Sequence, residues 1–179
     1  MKRTEYVAAQ NSAAAMILNA GIQISQKEVE SIEVVDFGLN DLNKEGAQIL
    51  TLVKTNRISV KVIALFPHQT EPEHWHPRVG DDPGKEETIR VVKGTLYLYQ
   101  PGADTLKTGQ IPENKDSVYT CRNELVMQVN DQATFKPGTK HWFRAGSEGS
   151  VVYSYSTIAR DILDKFSDPA VIRISKIED

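Results

Sequence analysis

The chain has 179 residues and a mass of 20.0 kDa, which at roughly 100–200 residues per domain is one domain's worth. Hydrophobic residues make up 40% and charged residues 25%, enough to build a core and to exclude intrinsic disorder. Lysine plus arginine (21) against aspartate plus glutamate (24) leaves a net charge of −3, which argues against a nucleic-acid partner held by clustered cations. The longest apolar run, Ala13 to Leu18, has six residues, far short of the about 20 that a membrane helix needs.

The N-terminus opens on Met1-Lys2-Arg3, but Glu5, Gln10, Asn11 and Ser12 interrupt any apolar core of a secretory signal. The expectation is a mature, cytoplasmic chain. The single cysteine, Cys121, excludes an internal disulfide and fits a reducing compartment. It reads as a buried small hydrophobe or an inert surface thiol.

No repeat with a period of roughly 20–50 residues is present, and one unit spanning 1–179 is the simplest division. Residues 1–47 read as a helical extension, 48–158 as a barrel core, and 159–179 as a C-terminal helix and strand. Arg3 to Ala20 carries apolar residues near helical spacing and stops at Gly21. A short helix over Lys27 to Ile32 follows Ser25, with Glu28 placed for a capping box. Asp36 to Glu45 reads as another short helix or a loop.

From Gln48 the period changes to two. Ile49, Thr51 and Val53, a turn at Thr55-Asn56, then Ile58, Val60 and Val62 make a hairpin. Thr88 to Gln100 reads as two strands around Gly94, and Ser117–Val129, Gln132–Phe135, His141–Phe143 and Val151–Ser156 as further strands. Arg160 to Phe166 reads as a last short helix and Val171 to Ile174 as a last strand. Many short strands with regular turn signals predict a mainly β fold, an antiparallel β-barrel with added N-terminal helices.

Histidine is scarce: His68, His74, His76 and His141. On an extended strand His74 and His76 face one side and Trp75 the other. Two imidazoles on one face form a metal-ligand arrangement, and a carboxylate to offset the ion's charge is at hand in Glu86 or Glu87. His141 follows the turn Pro137-Gly138-Thr139-Lys140. A plain rim pair of histidines without metal is the alternative. His68 fits no such pattern and reads as a surface or supporting residue.

His74, His76, Glu87 and Gly94, followed by Pro137-Gly138-x-x-His141, resemble the two motifs of the cupin superfamily, whose fold is a jelly-roll barrel. Ten residues separate His76 from Glu87, longer than the usual cupin spacing. Pro77 to Glu86 therefore reads as an inserted loop at the site mouth, and the distance to Gly94 favours Glu87 over Glu86 as ligand. Three imidazoles and one carboxylate leave coordination positions open, which suits catalysis more than structure.

The segments Pro72–Pro77, Asp82–Arg90, Gly94–Tyr99, Thr139–Phe143 and Ser156–Asp161 resemble the cupin-type D-lyxose isomerase family over about residues 48–175. The resemblance implies a Mn2+-dependent aldose–ketose isomerase, commonly a homodimer. Its substrate is a small-molecule sugar: D-lyxose and D-xylulose interconvert, often D-mannose and D-fructose too. Co2+, Zn2+ and Fe2+ accept the same ligands. Such a reaction moves a proton between C1 and C2 and needs an acid/base group beside the carbon. Lys85, two residues from Glu87 on the same face, is the first catalytic candidate, its pKa lowered by a neighbouring dication. Asp161 and Asp164 are further carboxylates near the sugar site on the same resemblance, without an assigned role. Arg90 faces outward, towards a surface or interface ion pair; Tyr97 or Tyr99 and Phe143 are candidates to line the barrel. A cupin dioxygenase and a non-catalytic sugar-binding cupin remain as alternatives. A cupin phosphosugar isomerase is the close cousin, but the chain shows no basic cluster suited to a phosphate.

Overall fold

The first helix forms where alanine is dense, which costs least in helix propensity. In the computed structural model, which describes residues 1–179, α1 runs over Arg3–Asn19, and the Glu5 carboxylate accepts from the Lys2 N–H at its start. At its end Gly21 turns left-handed (φ 84°), its N–H donates to Leu18 and the Ile22 N–H reaches back to Ile17. That is a Schellman stop, with Ile22 packed in the same cluster as Ile17. The Ser25 hydroxyl accepts from Glu28 N–H and Glu28 returns the bond to Ser25 N–H, so α2 (Gln26–Glu30) begins as the capping box requires.

Nine strands follow: β1 (Glu33–Val35), β2 (Ala47–Lys54), β3 (Ile58–Leu65), β4 (Thr70–Trp75), β5 (Glu87–Gln100), β6 (Asn123–Met127), β7 (Gln132–Phe135), β8 (His141–Thr157) and β9 (Lys165–Phe166). All strand pairs are antiparallel, and the sheet curls into the expected barrel. β8 is its spine. The C-terminal part of β8 pairs with β3 and its N-terminal part with β4, while β5 runs along its other side.

Consecutive strand residues enter different cores because a strand alternates faces. Ile49, Ile63, Leu98, Phe143 and Val152 fill the barrel interior. Their neighbours Leu50, Val62 and Val151 pack under α1, and Tyr99 and Trp142 pack with Tyr119 and Cys121 on another outer face. Both faces of much of the sheet are therefore covered.

Several boundaries differ from the sequence expectation. Thr88–Gln100 is not two strands but part of one 14-residue strand, and His141–Phe143 and Val151–Ser156 belong to one 17-residue strand. Gly94, the expected break between two strands, is a bend inside β5, where the β5–β8 register shifts. Gly94 has φ 78°, and a Cβ there would lie 2.1 Å from the Gly149 carbonyl oxygen. Only glycine lets the two bent strands touch. Asp36–Glu45 is a loop without a helix, and the extension 1–47 holds β1 besides its helices. Ser117–Val129 is strand only over β6. The C-terminal helix is absent: Arg160–Phe166 makes a 3-10 turn (Asp161–Leu163) and then β9, while Val171–Ile174 has no strand partner. Asp164 and Lys165 leave the helical path because the chain turns to pair with β4.

Replacing Gly94 by alanine should cost at least about 2 kcal/mol, through left-handed strain plus a clash with backbone that cannot give way. Gly21→Ala has comparable strain but open space. Urea unfolding should therefore show Gly94→Ala the less stable of the two; equal losses would contradict the close-approach account.

Candidate metal centre and active site

Three strand ends meet at one mouth of the barrel. His74 ends β4 with Trp75, His76 follows directly, Glu87 begins β5 and His141 begins β8, directly opposite His74 in the ladder. All four side chains are buried, and one donor atom from each lies within 4.8 Å of every other. Trp75 points away from the cluster, with the Lys140 ammonium 5.0 Å above its ring.

The histidine tautomers follow from their Nδ1 partners. His74 Nδ1 lies 2.8 Å from the Pro72 carbonyl, His141 Nδ1 2.8 Å from the Thr139 carbonyl, and His76 Nδ1 2.7 Å from Asp164 Oδ1. At His74 and His141 the Nδ1–H donates to a backbone carbonyl, which leaves Nε2 as a lone pair directed inward, the form that ligates a cation, whereas His76 stands between two carboxylates, Asp164 at Nδ1 and Glu87 at Nε2. The buried His141 Nε2 has no hydrogen-bond partner, and Glu87 Oε2 stands 3.8 Å away. His76 Nε2 is 3.0 Å from that same oxygen. Three imidazole nitrogens, one of them orphaned, and a buried carboxylate fit a divalent ion.

Charges around the cluster are paired. Lys85 Nζ sits 3.1 Å from Glu87 Oε1 and 3.9 Å from Asp161 Oδ1, and Ser154 donates its hydroxyl to Glu87. Asp161 Oδ2 lies 2.6 Å from Lys61 Nζ. Burial opposes the charged form of Lys85, yet Glu87, Asp164 and Asp161 hold its pKa above the ordinary value. Burial likewise opposes ionisation of Glu87, and the Lys85 charge and His76 hold it well below the usual carboxylate range. Burial and the Glu87 charge push Glu71 up to about 7.

Behind the cluster a narrow cavity runs into the barrel, lined by Lys61, Glu71, Lys85, Glu87, Asp161 and Arg173 among others. Phe143 forms part of its apolar wall, as expected, together with Phe166 from β9. Asp161 and Asp164 come into the site from the C-terminal turn. Glu86 is exposed and lies outside the cluster, its N–H donating to Thr157 Oγ1. Tyr99 does not line the barrel; its ring stacks on Trp142 outside, with centroids 3.6 Å apart, and Tyr97 packs on that same outer face. Arg90 faces outward and binds the neutral Asn130 and Gln132 side chains rather than an acid. His68 is exposed on a turn, and Cys121 is buried with its thiol pushed up to about 12 by burial.

Lys61, Glu71 and Arg173 escaped the sequence reading. In β3 the apolar alternation Ile58-Val60-Val62 marks the outer face, where Val62 packs under α1. Ser59, Lys61 and Ile63 face inward, so a lysine amid valines and isoleucines was the available signal.

Titration of the histidines sets a pH dependence for the chelator-treated protein. Burial lowers the pKa of His74 and His141, so they take up protons on unfolding below about pH 6.5. Stability then falls as pH drops, by up to about 1.4 kcal/mol per group per pH unit. At His76 burial acts the same way, but Asp164 and Glu87 outweigh it and raise the pKa. Its contribution is full below about pH 6.5 and is lost as pH rises through the folded value. Glu71, pushed up to about 7, opposes one of the two histidines between roughly pH 4.5 and 7, so the rise from pH 5 to 6.5 is about that of a single group, and urea midpoints at pH 5, 6.5 and 8 should peak at the middle value. A midpoint flat from pH 5 to 6.5 would contradict the neutral, buried state of His74 and His141.

Comparison with known proteins places this geometry. No family model matches the chain. A D-lyxose ketol-isomerase of Cohnella laeviribosi is 44% identical over 179 residues, covering 99% of this chain and 98% of that protein. A D-lyxose/D-mannose isomerase of Thermosediminibacter oceani is 41% identical over 180 residues, covering 100% and 99%. Among solved structures, the L-ribose isomerase of Acinetobacter sp. DL28 in complex with L-ribose superposes with a TM-score of 0.81 at 15% identity, over 99% of this chain and 98% of that one. At that identity it shows the shared fold. Full-length identity above two-fifths, carried on a fold that buries three histidines and a glutamate together, shows that the chain belongs to the D-lyxose ketol-isomerase family of sugar isomerases.

Proposed function

We propose that this protein is a Mn2+-dependent isomerase that interconverts D-lyxose and D-xylulose, and also D-mannose and D-fructose, through an enediol. The observation that carries the reading is the buried set His74, His76, Glu87 and His141, with each Nδ1 tied to an outer acceptor and every Nε2 directed into the cluster. These four would hold the ion. Nitrogen and carboxylate donors without thiolate suit Mn2+, and Co2+, Zn2+ or Fe2+ as substitutes. Bound there, a divalent ion supplies Lewis-acid polarisation of the sugar's C1 and C2 oxygens.

The chain's own residues handle protons and orientation. Lys85 is the proposed catalytic residue: surrounded by Glu87, Asp161 and Asp164, it stays an ammonium that can donate to a sugar oxygen. Asp161, whose carboxyl is held low by Lys61 and Lys85 against the effect of burial, is the ionised acceptor next to it. Phe143 and Phe166 exclude water from the cavity wall.

The cellular setting is part of the same proposal. No helix is long and apolar enough to cross a membrane, and Cys121 is a free, buried thiol, which suits the cytoplasm. A homodimer is supported by an outward row across three strands: Val53 stands opposite Val60, and Val60 opposite Tyr155. Val53, Ile58 and Tyr155 are 39%, 51% and 40% exposed.

Stripping the ion with a chelator should abolish ketose formation from D-lyxose and D-mannose, and Mn2+ should restore it. Solvent deuterium entering at the transferred position supports proton transfer through the enediol; its exclusion points to hydride transfer. Glu87→Gln should abolish Mn2+-dependent turnover while Glu86→Gln leaves it unchanged, and equal losses would contradict the ligand choice. Light scattering should give twice the 20.0 kDa chain mass, falling to one chain in Tyr155→Glu; a wild-type monomer would contradict the dimer.

A further inference from the structure

Glu71 sits three residues before His74 on β4, where strict alternation would place the two side chains on opposite faces. The register of β4 against β8 shifts between them, and both line the same cavity. A bulge of this kind re-aims a side chain next to a functional site. Glu71 is buried, and its Oε2 has no hydrogen-bond partner.

The cations whose charge reaches it, Lys85, Arg173 and Lys61, are engaged elsewhere, Lys85 by Glu87 at 3.1 Å. Lys61 is engaged by Asp161 at 2.6 Å, and Arg173 is forked onto Glu33, Nη1 to Oε1 at 2.8 Å and Nη2 to Oε2 at 3.1 Å. A buried acceptor left open beside cations already occupied is an incomplete site, because native proteins pair nearly all such groups. The cavity contains both ends of the arrangement: Lys85 and Glu87 at one, Glu71 and Arg173 at the other, with Phe37 and Ile49 as apolar wall. At about 3.3 Å per strand residue, Glu71 lies at most roughly 10 Å along β4 from His74. The cavity as it stands has a volume of about 20 Å³, room for one water, so an open-chain sugar of that span enters only as the water leaves and the wall moves apart.

We propose, resting on the isomerase reading above, that Glu71 is a specificity-determining residue whose Oε2 holds a hydroxyl on the distal C4–C5 end of the open-chain sugar, while C1 and C2 lie at Lys85 and Glu87. The rest of the chain is read by shape, and this hydroxyl by a hydrogen bond. A site built around such a bond rejects a substrate lacking the hydroxyl far more strongly than an apolar pocket rejects a missing methylene.

The test compares D-lyxose with its 4-deoxy and 5-deoxy analogues on the Mn2+-loaded wild type and on Glu71→Met. The wild type should lose at least about tenfold in kcat/KM on one of the two analogues, mainly in KM, because a distal contact persists from ground state to transition state. Glu71→Met should lose a similar factor on D-lyxose and discriminate among the three sugars by less than about twofold. Calorimetric binding of D-arabinitol, which is D-lyxose reduced at C1, should weaken by the same factor at unchanged Mn2+ stoichiometry. Equal losses on all three sugars in Glu71→Met would overturn the proposal. So would a wild type that treats the three alike, a result that needs no variant to fold. A wild type with no turnover of D-lyxose brings down the isomerase reading and this proposal with it, whereas turnover without discrimination brings down this proposal alone.

Discussion

The structure depends on keeping three imidazoles and one carboxylate close together away from water. Burying such groups unpaired is costly, and the protein meets the cost by giving each imidazole a fixed outward acceptor: two backbone carbonyls and Asp164. Those acceptors also decide the chemistry. With Nδ1–H committed to a carbonyl, His74 and His141 present Nε2 lone pairs to the cluster, while His76 turns its Nε2 towards Glu87. The carbonyls come from residues two positions before each histidine, so local chain geometry sets the tautomer.

The carboxylates that complete the site arrive on the C-terminal segment, which has almost no regular structure of its own. It is pinned instead. β9 pairs with His74 and Trp75, the Lys115 ammonium bridges Glu45 and Asp168 at 2.7 and 2.8 Å, Ser167 donates to Glu73, and Arg173 clasps Glu33. Through these contacts the ends of the chain and the long loop after β5 share one task, holding Asp161 and Asp164 against Lys85 and His76. Alternating charge runs from Lys61 through Asp161, Lys85 and Glu87 to His76 and Asp164, so each buried ion has an opposite neighbour.

Much of this was legible in the sequence, for definite reasons. The hairpin of β2 and β3, both N-terminal helices and their caps have local signals, and the structure has them. His74, His76, Glu87 and His141 stand out because histidine is scarce and motif spacing singles them out. Gly94 is legible as an anchor of that spacing, but the break expected there is absent: its left-handed φ serves a bend within one strand. Strand continuity through Gly94 and Gly146 is set by pairing with β8, which no local window contains. Lys61 and Glu71 were hidden for two separate reasons. At Lys61 the outer face of β3 is the apolar one, and at Glu71 a bulge breaks the alternation from which facing is inferred. Asp161 and Asp164 were visible as acids, but their approach to the site rests on tertiary pinning and not on a helix.

The central claim is that four named atoms converge on one ion. Anomalous diffraction at the manganese edge from Mn2+-loaded crystals tests it directly. The account predicts a single strong peak within about 2.0–2.4 Å of Nε2 of His74, His76 and His141 and of a Glu87 carboxylate oxygen. A peak coordinated elsewhere, or one that leaves any of the three Nε2 atoms hydrogen-bonded to protein instead, would contradict it.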